Sequence, residues 1–180
     1  PVTLDGDPSL RRRPMRRVVE PLTAMGASFT GGDGGNRLPL TVRGGSLTGR
    51  RYDLPTASAQ VKSALLLAGL QADGVTSLRE PTRSRNHTEL MLRGFGAPLA
   101  ERDGRLEITR GELTATDVAV PGDISSAAFF LVGAVIGGPE TRLVAVGLNP
   151  TRTGVIEVLR RMGANLEIDK QRTVAGEEVG

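Results

Sequence analysis

Segments in which apolar residues recur at helical spacing behind small-residue starts predict helices over 14–25, 58–71 and 86–95, and another opening at Ser125. Between them the pattern predicts strands at 27–30, 38–43, 52–55, 75–79, 97–101, 106–110 and 165–168. Pro14 suits a first helical position, and Pro21 is expected to kink the helix that contains it. The glycines of 31–36 read as a hairpin turn, and Asp103-Gly104 is a strong turn signal between two strands. The final residues, 171–180, carry no clear pattern and are expected to lack regular structure.

The same pattern returns. Leu22-Thr23-Ala24-Met25-Gly26-Ala27, Leu92-Arg93-Gly94-Phe95-Gly96-Ala97 and Leu159-Arg160-Arg161-Met162-Gly163-Ala164 share an ending, with Gly-Ala pairs 70 and 67 residues apart. Ser58-Ala59-Gln60 and Ser125-Ser126-Ala127 each open an apolar helix, 67 residues apart, and each is expected to follow a strand ending in proline, Pro55 or Pro121. Arg43-Gly44 and Arg110-Gly111 keep the same interval. The repeated unit is β-α-β-α-β-β, too long for an ordinary solenoid and suited to packed pseudo-symmetric lobes. A partial unit spans 1–51 and a full unit 52–119, together forming most of a first lobe over 1–120. The first unit of a second lobe spans 121–180. The fold class is α/β.

Composition narrows the chemistry. The 180 residues include no cysteine and one histidine, His87, so a disulfide framework, a cysteine nucleophile and a zinc or iron site of the usual ligands are excluded. The longest nearly apolar runs, 64–70 and 127–136, are too short to cross a bilayer, and 1–7 has no leader character. A soluble cytoplasmic protein is expected. The cationic charge is almost all arginine, 21 Arg against Lys62 and Lys170, and it is uneven: net +5 over 1–52, +1 over 53–100 and −3 over 101–180. Arginine forks match carboxylate and phosphate oxygens in pairs, so the cationic part suits a small anionic substrate. Five aromatics, four Phe and one Tyr, with none interleaved in the arginine clusters, give little support to base stacking.

Three places carry candidate chemistry. Arg11-Arg12-Arg13-Pro14-Met15 stands at an expected helix start, where positive charge opposes the helix dipole. The cluster is either a solvated basic surface or the holder of an anion. Ser58, with small neighbours at a helix start, offers a hydroxyl and free backbone N–H groups to a phosphate, or is an ordinary N-cap. Gln60, one step further in, reaches a ligand hydroxyl or carboxylate. Arg83-Ser84-Arg85-Asn86-His87-Thr88-Glu89 precedes the next helix, which Ser84 or Asn86 can cap. Arg85 there is able to reach the same anion as Ser58. His87 is a general base by type, although a capping or surface role is the commoner one.

At these residues the chain resembles the enolpyruvyl transferases, and among them the EPSP synthase family. Leu4-Asp5-Gly6-Asp7-Pro8-Ser9-Leu10 with Arg13-Pro14-Met15 looks like the family's phosphoenolpyruvate-side loop. Ser58-Ala59-Gln60-Val61-Lys62-Ser63-Ala64 looks like its shikimate-3-phosphate loop. Arg85-Asn86-His87-Thr88-Glu89, Pro121-Gly122-Asp123-Ile124-Ser125-Ser126-Ala127 and Asn149-Pro150-Thr151-Arg152-Thr153-Gly154 follow in family order. The resemblance implies an inside-out α/β barrel in each of two lobes, helices inside and sheets outside, incomplete in this chain. It implies transfer of the enolpyruvyl group of phosphoenolpyruvate to the 5-hydroxyl of shikimate 3-phosphate, by addition and elimination of phosphate. No cofactor, metal, nucleic acid or membrane is implied.

By the same resemblance Arg13 holds the phosphoenolpyruvate carboxylate or phosphate, and Ser58 takes the 3-phosphate. Ala59 replaces a serine found in many relatives, so only its N–H serves. Gln60 lies against both substrates and Arg85 completes the phosphate clamp. Family members are longer, and the residues of proton transfer fall outside this stretch, so no catalytic residue is expected here. The isolated chain is expected not to turn over, and to self-associate through helix faces left bare, although relatives are usually monomeric. The alternatives are a transferase acting on UDP-N-acetylglucosamine, disfavoured by the missing loop cysteine, a non-catalytic module for phosphorylated polyols, and an RNA-processing protein.

Overall fold

Most of the expected strands and helices form, with ends shifted by one to three residues. The structure is a computed structural model and describes residues 1–138, 140–169, 172–174 and 176–180. The chain is mixed α/β and divides into two units, Pro1–Ser84 with Gly96–Thr114, and Arg85–Phe95 with Ala115–Gly180.

The first unit contains β1 (Val2–Leu4), α1 (Pro8–Arg11), α2 (Arg16–Met25), β2 (Ser28–Gly31), α3 (Gly32–Gly35), β3 (Arg37–Arg43), β4 (Arg51–Asp53), α4 (Ala59–Gly69), β5 (Val75–Arg79), β6 (Leu99–Arg102) and β7 (Arg105–Thr109). One sheet has the order β1-β3-β2, antiparallel throughout, and a second has the order β4-β5-β7-β6. In the second, β4 runs parallel to β5, while β5, β7 and β6 pair antiparallel. Asp103 and Gly104, both left-handed, close β6 onto β7, the geometry a two-residue hairpin needs. The glycine turn between β2 and β3 winds into α3, with Asp33, Gly34 and Gly35 left-handed. Helix α2 continues through Pro21, whose carbonyl accepts the Tyr52 hydroxyl at 2.8 Å. Met25, Leu40, Val61, Leu65, Leu66, Leu70, Leu78 and Ile108 form the buried apolar interior of this unit.

The second unit contains α5 (His87–Gly94), α6 (Ile124–Gly137), α7 (Gly154–Arg161), β8 (Arg172–Val174) and β9 (Glu177–Val179). Its core is Ile124, Ala127, Leu148 and Ile156, with Leu131, Leu143, Val146, Val155 and Leu166 against it. Three expectations fail here. No strand ends at Pro121: pairing begins only at Gly122, which bridges Val146, because proline has no N–H to give a ladder. Residues 165–168 form no strand, since the Leu166 carbonyl is taken by the Arg160 guanidinium at 2.8 Å instead of by a neighbouring strand. The described residues of 171–180 carry regular structure, with β8 paired antiparallel to β9 and Gly180 bonded to Val146; residues 171 and 175 lie outside the described residues. Among the described residues no helix is long and apolar enough to cross a membrane.

The repeated Gly-Ala endings have one physical cause. Gly26, Gly96 and Gly163 all adopt positive φ just after a helix, where a side chain is disfavoured. At two of them the helix ends alike. Ala27 N–H reaches the Leu22 carbonyl at 3.1 Å and Ala164 N–H the Leu159 carbonyl at 3.0 Å, each closing a Schellman turn.

Two buried cations lock the first unit. The Arg105 guanidinium binds Asp53 at 2.7 Å, the Tyr52 carbonyl at 2.7 Å and the Ser77 hydroxyl at 2.9 Å, joining β4, β5 and β7. Lys62 of α4 has a side chain only 1% exposed, and its ammonium sits 2.8 Å from Glu80 Oε2, whose own side chain is 8% exposed. Glu80 also accepts the Ser84 hydroxyl and, at 3.3 Å, the Ser84 N–H. Burial pushes the Glu80 carboxyl up, but the hydrogen bonds from Lys62 and Ser84 together outweigh it and hold it below its ordinary value.

Two outcomes follow, both read by denaturant unfolding. Gly163→Ala, where a Cβ meets open space, is expected to cost about 1–2 kcal/mol from its left-handed backbone alone. Gly26→Ala is expected to cost more, because its Cβ would come 2.8 Å from the Ser46 carbonyl oxygen. Equal losses would contradict this account. For Glu80, a depressed acid contributes stability above its unfolded-state value of 4.5 and loses it as pH falls through the lower folded-state value. Glu80→Gln is therefore expected to lose about 3–5 kcal/mol at neutral pH, because the buried Lys62 ammonium gives up the Glu80 charge 2.8 Å away. It should also lose less further stability than the parent chain between about pH 6 and about pH 3.

Candidate anion-binding site

Helix α4 begins where β4 hands the chain across to its parallel neighbour, so its N-terminus belongs to the edge at which both strands end. Ser58 is its N-cap, with extended backbone; its Oγ accepts the Val61 N–H at 3.4 Å and its carbonyl accepts the Lys62 N–H at 3.0 Å. The first two helical N–H groups, those of Ala59 and Gln60, have no intrachain partner among the described residues. Ser58 is therefore an N-cap, and its hydroxyl hydrogen remains available to an outside acceptor. Ser58 and Ala59 are half-buried and Gln60 is exposed. A phosphate here would meet one O–H, two backbone N–H groups and the positive end of the helix dipole.

Arg13 lies in the same unit, on the loop between α1 and α2. The expected helix start at Pro14 is displaced: α2 begins at Arg16, and Asn36 caps it from across the unit. The Asn36 carbonyl takes the Met15 N–H at 2.8 Å and its Oδ1 takes the Arg16 N–H at 2.9 Å. The preceding loop is tightly built. Asp5 receives the Arg11 guanidinium at 2.8 Å and the Gly6 N–H at 2.9 Å, and Asp7 caps α1 through the N–H groups of Ser9 and Leu10. Those two backbone bonds, Leu10 first, hold the Asp7 carboxyl below its usual range, with the nearby Arg13 charge adding to them. Of the three consecutive arginines, Arg11 is paired with Asp5, and Arg12 lends its carbonyl to Arg37. The exposed Arg13 guanidinium has no hydrogen-bond or ion-pair partner among the described residues. The short β1 and α1, not anticipated from the sequence, hold this loop; Asp7-Pro8, a cap residue before a proline, was the available signal.

Arg85 opens the second unit, exposed and without a side-chain partner among the described residues. Behind it, three of the ordered motifs come together inside that unit. Asn86 begins α5 without capping it by its side chain; its Oδ1 instead accepts Asn149 Nδ2 at 2.9 Å. Asn149, 1% exposed, takes the Thr151 N–H and hydroxyl on its own Oδ1. His87 Nδ1 lies 2.6 Å from Glu177 Oε1. A carboxylate only accepts, so that nitrogen carries the proton, and the 3.4 Å approach of Asn149 Nδ2 to it is a contact, not a hydrogen bond. Arg152 reaches Asp123 at 3.2 Å and the Ser125 hydroxyl, joining the Asn149–Arg152 turn to the start of α6. His87 is thus engaged in structure.

Sequence reasoning gave no role to Lys62 or Glu80. The available signal was a lysine inside the apolar stretch of α4, which needs a buried counter-charge.

A family model described as EPSP synthase (3-phosphoshikimate 1-carboxyvinyltransferase) matches residues 1–179. A 3-phosphoshikimate 1-carboxyvinyltransferase of Alkalilimnicola ehrlichii is 58% identical over 180 residues, covering 98% of this chain and 40% of that protein. One from Thermus thermophilus is 58% identical over 179 residues, covering 98% of this chain and 42% of its own length. Among solved structures, an EPSP synthase from Acinetobacter baumannii matches with a TM-score of 0.84 at 48% identity, over 98% of this chain and 40% of that one. The chain thus spans about two fifths of the length of the relatives it matches. With the family model matched along nearly its whole length, the chain belongs to the EPSP synthase family.

Proposed function

We propose that this chain supplies the anion-binding part of a 3-phosphoshikimate 1-carboxyvinyltransferase. In that reaction the 5-hydroxyl oxygen of shikimate 3-phosphate bonds to C2 of phosphoenolpyruvate, and inorganic phosphate leaves. The observation that carries the reading is the open start of α4, one hydroxyl and two unpartnered N–H groups, in a chain of this family. Ser58 and the N–H groups of Ala59 and Gln60 take the 3-phosphate, and the Gln60 amide lies against both substrates. Arg13, unpaired beside the Asp5–Arg11 loop, takes an anionic group of phosphoenolpyruvate. Arg85, placed there by the family resemblance, gives the phosphate a full positive charge, a contact worth about 1.5–3 kcal/mol. No residue of this chain is assigned proton transfer, and the chain alone is expected to bind without turnover.

The fold on this reading is a pair of pseudo-symmetric lobes built from βαβαββ units with helices inside, the first over 1–120 and the second begun over 121–180. The compartment is the cytoplasm, since doubly charged phosphate esters do not cross membranes unaided.

Calorimetric titration tests the function, with shikimate as control. The phosphate ester is expected to bind and shikimate not to. Arg85→Ala is expected to weaken binding by about 10–150-fold. No heat from a chain shown to be folded, or equal heats from both ligands, would contradict the reading.

Self-association is the second expected property. Phe129, Val132 and Ile136 stand three and four residues apart on α6, and Phe129 and Ile136 are 82% and 81% exposed. Sedimentation is expected to show concentration-dependent association that Phe129→Glu with Ile136→Glu abolishes. A concentration-independent monomer would count against it.

A further inference from the structure

Lys62 is bonded in two directions. Its backbone N–H closes the first turn of α4 on the Ser58 carbonyl at 3.0 Å, and its ammonium holds Glu80 at 2.8 Å. Glu80 follows directly on the last residue of β5 and accepts both the hydroxyl and the N–H of Ser84, closing the 80–84 loop on itself. Because β4 and β5 are parallel, that loop leaves the sheet at the same edge from which the chain enters α4. The Leu54 N–H bond to the Arg79 carbonyl, 2.9 Å, carries the pairing one residue further toward that edge. The loop is thus tied to the helix end that bears Ser58.

An ion pair removed from water is a poor source of stability. Apolar replacements of similar volume often do as well or better, because both charges give up hydration. What such a pair supplies is a single geometry: a carboxylate with one cation and one serine to satisfy can sit in few places.

On the reading that the start of α4 binds the 3-phosphate, we propose that Lys62 and Glu80 are positioning residues for that site. They touch no ligand. They hold the Glu80–Ser84 loop against the Ser58 end of α4, so that the hydroxyl and the two open N–H groups meet the phosphate in a preformed wall.

The test separates position from stability. Lys62→Met with Glu80→Met removes both members of the pair at once, so neither is left opposite an uncharged partner, and its thermal midpoint should stay near the parent's. Its affinity for shikimate 3-phosphate is expected to fall at least about tenfold, because a loosened support costs binding geometry before it costs the fold. Ser84→Ala, which removes only the hydroxyl end of the network, is expected to fall by about threefold to tenfold. A double variant with the parent's midpoint and the parent's affinity overturns the proposal. If the double variant does not fold, Ser84→Ala decides, and unchanged affinity there overturns it. A parent chain that is folded and does not bind the phosphate ester overturns the functional reading, and this inference with it. Binding by the parent with no loss in the variants overturns this inference alone.

Discussion

The parallel pairing of β4 with β5 is the constraint on which the rest of the first unit depends. It is short, with Arg51, Tyr52 and Asp53 set against Ser77, Leu78 and Arg79. Parallel neighbours cannot be joined by a tight turn, so a crossover must carry the chain back, and α4 is that crossover. Its N-terminus then faces the edge where both strands end, the edge at which open α/β sheets gather ligands. Three residue pairs are a weak ladder by themselves. Arg105 reinforces it by binding side chains or carbonyls from β4 and β5 at once, with its own side chain 8% exposed. Lys62 and Glu80 then fasten the helix to the loop beyond β5.

These interactions divide by what they supply. Leu65, Leu66, Leu78 and Ile108 drive the burial of α4 against its sheet. The two buried cations choose among the ways those apolar surfaces could pack. Such a division suits a binding site, where a loose but stable arrangement would still fold and would hold an anion poorly.

Much of the fold was legible in the sequence, for reasons that can be named residue by residue. Gly26, Gly96 and Gly163 announced helix ends because a left-handed residue is needed there, and Asp103-Gly104 announced a hairpin for a related reason. Ser58 announced both a helix start and a candidate site, since a cap hydroxyl can accept from its own helix and donate outward. What stayed hidden depended on partners far along the chain. Asn36 caps α2 from 20 residues away, and Glu80 meets Lys62 across 18. Leu166 was read as part of a strand, but Arg160 had already claimed its carbonyl. The β8–β9 hairpin, with three residues in each strand, is too short to leave a period in the sequence.

Hydrogen exchange of the backbone amides, with and without shikimate 3-phosphate, tests the central claim most directly, because the claim concerns particular N–H groups. The account predicts slowed exchange at Ala59 and Gln60 on adding the phosphate ester, with shikimate giving none. Protection confined to other segments, or no change at the start of α4 under conditions where the ester binds, would contradict it.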